Sequence, residues 1–311
     1  SSARNGANNG WCYVVAGIVP ITTSFGNQLG SLQKGYFVFA IMIVTIMIIG
    51  QSITLFGVKE PNIIVEKNEH TKLKELVSTI FKNDQLIIIA VSMVFFMLGY
   101  MTTTSFGLYF FKYAYGDEGM YSVFDLILGV SQITALLLFP LTSKYFSRGI
   151  LYTFATILVV IGYIVFFFAP TNTMVFIGIA GVMIFIGEAF IQLLMLLFLT
   201  DTVDYGHWQF GRRNDSITFS MQPFIYKMGG AIASAIVGAV VIISGIKDAN
   251  SAADVSPEGL LMMKTAMLVF PLVCIVIGYL VYKKFFKLDK AMYDRIILDL
   301  EERGDIETAK K

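Results

Sequence analysis

Charged residues are scarce in this 311-residue sequence: they make up 14% of it, against about 25% in soluble globular domains. Hydrophobic residues make up 56%. The formal net charge of +1 leaves no basic surplus for binding nucleic acid. The two cysteines, Cys12 and Cys274, and the two histidines are far apart, which excludes a disulfide framework and leaves no cluster of metal ligands. The class that remains is an integral membrane protein.

The sequence contains several long runs without any charged residue. A membrane-crossing helix needs about 20 mostly apolar residues, and the run between Lys34 and Lys59 is of that kind. The run from Arg148 to Glu188 is too long for one helix and divides at a turn signal containing Pro170. Arg4 followed by the apolar residues 11–21 also fits a signal peptide, although no small-x-small cleavage site follows. We therefore predict an all-α polytopic bundle with about eight transmembrane helices, near 9–25, 36–57, 86–111, 120–143, 149–168, 173–202, 216–245 and 259–284.

The lysines and arginines predict the orientation of the bundle, because cytoplasmic loops carry an excess of both. If the amino terminus is cytoplasmic, four lysines lie on the opposite side, namely Lys34, Lys112, Lys247 and Lys264. All other lysines and arginines except Lys227 then lie on the cytoplasmic side. We expect a multi-pass protein of the cell membrane with both termini of this sequence in the cytoplasm.

Two charged segments are predicted to lie outside the membrane. In residues 58–84, apolar side chains recur at helical spacing, which fits either an amphipathic helix along the bilayer surface or a solvated linker helix. The tail from Asp289 repeats this pattern, with Met292, Ile296, Ile297 and Leu300 on one face. We expect the tail to form a cytoplasmic helix that caps the bundle.

Lys227 is a charge in the middle of an apolar segment. It lies 12 residues past Asp215, or about 18 Å along a helix, which is close to the midplane of the membrane. An ionised side chain at that depth costs about 2.5–3.5 kcal/mol on insertion scales. The lysine therefore pairs with a carboxylate, contacts a polar ligand or loses its proton. A buried structural salt bridge is the alternative without a functional role.

The residues around Lys227 include several that disfavour a regular helix. Pro223 removes the backbone donor for the carbonyl of Phe219, and two glycines follow at 229 and 230. We predict either a broken helix that exposes backbone to a substrate or a simple proline kink. Gly230, Ser234 and Gly238 form a small-x-x-x-small ridge, which predicts close helix packing.

Glu188 is a second ionisable residue at membrane depth. It lies 13 residues before Asp201, at a depth that matches Lys227, and Gln192 follows one turn later on the same face. We expect both helices to line one polar cavity in which Glu188 pairs with Lys227. Alternatively, Glu188 is held protonated against a neighbouring helix. The hydroxyls of residues 102–105 either face this cavity or bond to carbonyls of their own helix.

One motif identifies a family resemblance. Residues 201–213 read Asp-Thr-Val-Asp-Tyr-Gly-His-Trp-Gln-Phe-Gly-Arg-Arg, and Lys227 follows at a fixed distance. This resembles the signature of the glycoside–pentoside–hexuronide:cation symporters of the major facilitator superfamily. The resemblance extends to the start of the chain at residues 1–6 and to Asn83-Asp84-Gln85.

The resemblance implies a twelve-helix fold of two six-helix halves, of which this sequence matches helices five to twelve. Residues 1–57 then hold the last two helices of the first half, 58–84 the central cytoplasmic loop, 85–287 the second half and 288–311 a cytoplasmic tail. The sequence begins with serine, which suits a fragment. The family's cation site lies on early helices that are absent here, so we expect this fragment alone not to catalyse coupled uptake.

The resemblance also implies roles for individual residues. Lys227 and Arg4 match positions of the central sugar and cation region, and Gln222 matches a sugar-facing amide. Gln192 replaces an aromatic ring that stacks on sugar in relatives, and Glu188 is our further candidate for substrate binding. His207 and Gln209 depart from the usual cytoplasmic motif. The motif residues expected to affect gating are Asp201, Asp204, Tyr205, Gly206, Gly211 and Arg213.

The function implied is sugar transport by alternating access, with sugar and a Na⁺ or H⁺ gradient coupled through one cavity. No cofactor, bound metal or nucleic acid is expected, and the partners are a small sugar and membrane lipid. We find no nucleophile or metal constellation of an enzyme. The alternatives are a non-transporting membrane scaffold, a subunit of a larger complex or an inactive truncated transporter.

Overall fold

The computed structural model describes residues 21–57, 81–211, 215–249 and 251–305. These residues are mostly helical, with short turns between the helices and no β-strand among them. Residues 21–29 form part of a helix. The eight complete helices are α1 Leu32–Gly57, α2 Asp84–Tyr109, α3 Met120–Tyr145, α4 Arg148–Phe168, α5 Met174–Phe210, α6 Asp215–Ile243, α7 Pro257–Phe285 and α8 Lys290–Glu302. A π-helical turn, Phe110–Tyr115, continues α2, and two short 3₁₀ turns, Ile246–Asp248 and Ala252–Asp254, precede α7.

Seven of the described helices, α1 to α7, are long and apolar enough to cross a membrane. They confirm the predicted all-α polytopic architecture and seven of the predicted spans. The remaining predicted span, 9–25, falls mostly outside the described residues. The largest error concerns α5, which ends at Phe210 rather than at residue 202. Its last two turns contain Asp204, Tyr205 and Trp208, whose side chains form hydrogen bonds with neighbouring helices.

The predicted tail helix is confirmed as α8. The Asp289 side chain caps its amino end by accepting a hydrogen bond from the backbone N–H of Met292. Ile296 and Leu300 are buried, as expected for the inner face of an amphipathic helix. Most of the other charged segment, including the apolar positions between residues 73 and 80, lies outside the described residues.

The chain divides into two compact units. The smaller unit includes α1 and residues 119–129 at the start of α3. The larger unit contains α2, the remainder of α3 and all of α4 to α8. The boundaries predicted from the family resemblance stay a prediction.

Inside the larger unit, α2 packs against α6 and α7, and α4 packs against α5 and α7. The α4–α5 contact is close because Gly187 has no side chain. A Cβ atom at this position would lie 2.5 Å from the Val159 Cγ2 atom and 2.8 Å from the Ala155 carbonyl oxygen. Small residues allow such approach in membrane bundles, where van der Waals packing drives helix association. Glu188, the next residue, is therefore held against α4.

The structure decides two predictions about α6. The helix runs without a break through Pro223, so of the two alternatives for this proline the broken helix is wrong and the simple proline kink is left. The predicted close packing of the ridge is not seen with any described helix, because a Cβ atom at Gly230 or Gly238 would meet no described atom within 4 Å. The packed face is offset by one residue: a Cβ atom at Gly229 would lie 3.2 Å from the Met97 Cβ atom of α2.

Candidate functional site

Lys227 lies on the exposed side of α6, near the middle of the helix. Ile225 and Gly229 are buried, whereas Tyr226 and Lys227 are exposed. Among the described residues, none forms an ion pair or a hydrogen bond with Lys227. Gln222, slightly more than one turn earlier, is half-buried, and its Oε1 atom has no hydrogen-bond partner. An ammonium group and a buried amide oxygen thus lie on one helix of the larger unit, separated by about 7.5 Å along its axis.

Glu188 is buried within the larger unit, and the predicted pairing with Lys227 is wrong. The Glu188 side chain is 1% exposed, and its Oε1 atom lies 3.1 Å from the Tyr163 hydroxyl of α4. Its Oε2 atom has no partner. The residue count along a helix gave the depth of Glu188 in the membrane, but depth does not determine which neighbouring helix the side chain faces.

The other predicted binding residues divide between described and undescribed parts of the chain. Gln192, one turn after Glu188, is half-buried. Arg4 lies outside the described residues. The hydroxyls of Thr102 and Thr104 bond to carbonyls of their own helix, at 2.6 Å from Leu98 O and 3.1 Å from Tyr100 O. For these two threonines the intrahelical alternative is therefore confirmed.

The motif at 201–211 builds a polar network at one end of the larger unit, which we call the polar end. Asp201 on α5 forms an ion pair with Arg148, the first residue of α4. The Asp201 side chain is 5% exposed and the Arg148 side chain 41%. The guanidinium also lies over the ring of Tyr293 of α8, 5.8 Å from its centroid. This arrangement ties α5 to α4 and α8.

The next acidic residue of the motif continues the network to α8. The Tyr293 hydroxyl donates a hydrogen bond to Asp204 Oδ2 at 2.8 Å. Burial, and then this bond and the carboxylate charge, raise the pKa of Tyr293 well above its ordinary value. The phenol therefore stays neutral and keeps donating at physiological pH.

The tyrosine of the motif connects α5 to the start of α2. The Tyr205 hydroxyl donates to Asp84 Oδ1 at 2.9 Å, and Gln85 Nε2 donates to Asp84 Oδ2 at 2.8 Å. Gln85 Oε1 accepts from the backbone N–H of Lys287 at 2.8 Å, just before α8. The segment Asn83-Asp84-Gln85 thus joins α2 to both α5 and the tail.

The two glycines of the motif, Gly206 and Gly211, are required for different structural reasons. Asn83 Nδ2 donates to the Thr202 carbonyl at 2.9 Å, and a Cβ atom at Gly206 would lie 2.9 Å from the same nitrogen. Gly211 ends α5 with a φ of +67°, a left-handed conformation that glycine adopts most readily, and its N–H bonds to His207 O. Arg213 lies outside the described residues.

Helix α8 rests on the polar end through an apolar cluster. Tyr205, Leu288, Ile296 and Leu300 are buried together. Trp208 packs against them, and its Nε1–H donates to Asp299 Oδ2 at 3.0 Å. The tail helix is therefore integrated into the bundle by side-chain contacts.

A cavity of about 460 Å³ opens at the polar end. Its lining includes Lys144, Arg148, Asp201, Lys290 and Tyr293. Among the described residues, no group of three His, Cys, Asp or Glu side chains could hold a metal ion. The cavity thus offers charged groups of both signs rather than a metal-ligand cluster.

Sequence reasoning missed the partners of these residues. Arg148 was counted as a charge that orients the bundle, and Tyr163 and Tyr293 were not identified at all. All three are distant in sequence from the carboxylates they contact, by 53, 25 and 89 residues. Tyrosines in helices are common, so only the fold reveals these contacts.

Comparisons with known proteins agree with the motif. The profile of the family described as "MFS/sugar transport protein" matches residues 2–290. A lactose permease of Leuconostoc lactis is 26% identical over 94% of this chain and 46% of the relative. A raffinose carrier protein of Pediococcus pentosaceus is 29% identical over 96% and 47%, respectively. A putative sulfoquinovose importer of Escherichia coli K12 is 24% identical over 98% and 64%.

The chain spans about half the length of the first two of these relatives and just under two thirds of the third. The relatives are named permeases, carriers and importers, which are transporters rather than enzymes. The family match covers nearly the whole chain, from residue 2 to residue 290. The chain therefore belongs to the MFS/sugar transport protein family, within the glycoside–pentoside–hexuronide type of the major facilitator superfamily.

Proposed function

We propose that this chain takes part in sugar–cation symport by alternating access, driven by a Na⁺ or H⁺ gradient. The family match supports a sugar transporter, and the relatives are named for lactose, raffinose and sulfoquinovose. These sugars differ in size and charge, so the proposal extends to glycosides as a class. Coupling requires that sugar and cation each raise the apparent affinity for the other.

The exposed Lys227 in the middle of α6 carries this proposal. The free-energy cost of placing a charge at membrane depth, about 2.5–3.5 kcal/mol on insertion scales, is not offset by an ion pair with any described residue. A polar ligand or counter-charge in a water-filled cavity would offset it. The lysine ammonium has three hydrogen-bond donors for sugar hydroxyls. On the same helix, the Gln222 Oε1 atom is a buried acceptor without a hydrogen-bond partner among the described residues.

In this proposal the sugar binds along the exposed side of α6, at Lys227 and Gln222, with Gln192 of α5 as a further contact. The buried Glu188 is not part of the binding surface. The coupling cation binds elsewhere, on helices that the family resemblance assigns to the first half of the fold. A single transporter half cannot enclose a substrate, so the second wall of the cavity belongs to that half.

We place the polar end on the cytoplasmic side, because lysines and arginines concentrate there in the sequence. Every described partner of the 201–211 motif lies in the larger unit. The motif therefore holds α2, α4, α5 and α8 together as this side opens and closes. The proposed role of the motif in gating is to make these four helices move together.

The test replaces Lys227 within the natural protein and measures uptake of radiolabelled lactose and raffinose by membrane vesicles. Uptake is compared with a Na⁺ gradient, with a proton gradient and with neither. Lys227→Leu should lower gradient-driven uptake by about 10- to 100-fold, the loss expected for one or two charge-assisted hydrogen bonds. A scaffold protein would tolerate the change, because the substitution removes an unpaired charge from the membrane.

Lys264→Gln is the matched control. Lys264 lies two turns into α7 and contacts the ring face of Phe167, 5.3 Å from its centroid, so it has a local partner that Lys227 lacks. This variant should retain uptake. The proposal is overturned if Lys227→Leu, inserted in the same amount as the wild type, transports both sugars at the wild-type rate under a gradient.

A further inference from the structure

A chain of hydrogen-bonding groups crosses the core of the larger unit and joins four helices. Glu188 of α5 lies 3.1 Å from the Tyr163 hydroxyl of α4, which lies 2.6 Å from the Thr103 hydroxyl of α2. Thr103 Oγ1 lies 3.2 Å from the Met267 carbonyl oxygen of α7. Each of the four residues is at most 1% exposed. Three hydrogen bonds thus connect four buried groups, and each bond needs one hydrogen.

The direction of the last bond is determined by a proline. Within a helix, the Met267 carbonyl would accept from the backbone N–H four residues later, but that residue is Pro271, which has none. The freed carbonyl needs another donor inside a membrane core. The Thr103 hydroxyl meets this need, so its single hydrogen is directed to Met267 O.

This direction determines the other two bonds. Thr103 has no hydrogen left for its 2.6 Å contact with Tyr163, so the Tyr163 hydroxyl must donate there. The tyrosine then has no hydrogen for its contact with Glu188, because each hydroxyl has only one. The third hydrogen can come only from Glu188. An ionised Glu188 would leave three contacts with two hydrogens.

The surroundings of Glu188 lead to the same conclusion. Its Oε2 atom has no partner in the part of the chain that the structure describes, so a negative charge there would be neither hydrogen-bonded nor paired with a described cation. Isolated buried carboxylates are strongly disfavoured in a low-dielectric interior. Among the described residues, the titratable group that faces the pair Glu188–Tyr163 is Cys274 of α7, which is not a cation at neutral pH.

We propose that Glu188 is a proton-binding site, with its O–H group donating to Tyr163 Oη. The bound proton supplies the hydrogen that completes the chain from α5 through α4 and α2 to α7. It is separate from the sugar surface at Lys227 and does not depend on the proposed transport activity. The ligand is a single proton, and its role is to hold four helices of the larger unit in one arrangement.

Infrared spectroscopy of the purified natural protein tests this directly, without any sugar. Glutamate labelled with ¹³C at the side-chain carboxyl separates the glutamate bands from those of aspartate. A protonated carboxyl shows a C=O stretch that an ionised carboxylate lacks. Glu188→Gln should abolish one labelled C=O band and leave the carboxylate bands unchanged. The matched control Glu258→Gln, at an exposed residue in the first turn of α7, should instead reduce only the carboxylate bands.

A second variant keeps the test decisive if Glu188→Gln does not fold. Tyr163→Phe removes the acceptor of the Glu188 hydrogen, so the same C=O band should shift without being lost. The proposal is overturned if either Glu188→Gln or Tyr163→Phe alters only the carboxylate bands, since Glu188 would then be ionised. Failure of sugar uptake in these variants would bear on the transport proposal and not on this one.

Discussion

The ion pair between Arg148 and Asp201 gives a prediction with a calculable size. Replacing Arg148 with glutamine leaves a carboxylate that is 5% exposed without its cation. Breaking a buried pair costs about 3–5 kcal/mol, whereas an exposed pair contributes about 0–1 kcal/mol. Because the Arg148 side chain is 41% exposed, we expect an intermediate loss of about 2 kcal/mol. A loss of this size lowers Tm on the order of 5 °C.

A thiol-reactive fluorophore can follow unfolding through Cys274. This residue is a buried free cysteine, so it reacts when the larger unit opens. The measurement uses a Cys12→Ser background, which leaves Cys274 as the only thiol of this sequence. Lys144→Gln is the control, because Lys144 is an exposed cation that lines the same cavity. It should leave Tm nearly unchanged.

The double variant Arg148→Gln/Asp201→Asn distinguishes the ion pair from packing. Removing both charges removes the uncompensated carboxylate, so the double variant should be more stable than Arg148→Gln alone. Our reasoning is refuted if Arg148→Gln matches Lys144→Gln, or if adding Asp201→Asn to it lowers Tm further.

Two further predictions concern packing and ionisation. Gly229→Leu should destabilise the protein by about 1–3 kcal/mol, because the new side chain would meet Met97. Gly230→Leu should be tolerated, because a Cβ atom there meets no described atom within 4 Å. Equal Tm values for the two variants would contradict the packing described for α6. The pKa of Tyr293 is raised, so its contribution to stability should be present below about pH 10, the ordinary pKa of tyrosine, and be lost as the pH rises above it. Tyr293→Phe should reduce this alkaline loss in thermal unfolding, whereas Tyr145→Phe, at an exposed tyrosine, should not.

The spans could be predicted because a helix that crosses a membrane requires a long run of apolar residues, which is visible in the sequence. Uncharged runs of sufficient length mark the helices, and their limits agree with the described structure to within a few residues except at α5. The predicted span ended at residue 202, where the charged motif with Asp201 and Asp204 begins, whereas the helix continues to Phe210. Both carboxylates are instead bonded inside a helical bundle, which the local sequence does not show.

The candidate site was predicted less well, and the reason is geometric. Residue counts placed Glu188 and Lys227 at one depth, but the direction of a side chain around its helix depends on which faces pack. Gly187 directs its neighbour Glu188 to α4, and Gly229 turns Lys227 away from α2. A single closely packed glycine can also place the packed face of a helix one residue away from the predicted position, as at Gly229 instead of Gly230.

Helix α5 is 37 residues long, or about 55 Å, and exceeds the ~30 Å thickness of a bilayer core. Glu188 and Asp201 lie about 20 Å apart on this single rod. Pivoting the rod by about 10° around Glu188 would carry Asp201 through roughly 3.5 Å, more than a hydrogen bond or ion pair can stretch. The end of α5 beyond Glu188 is bonded to Arg148 through Asp201 and to Tyr293 through Asp204. Any tilt of α5 must carry the start of α4 and the tail helix with it.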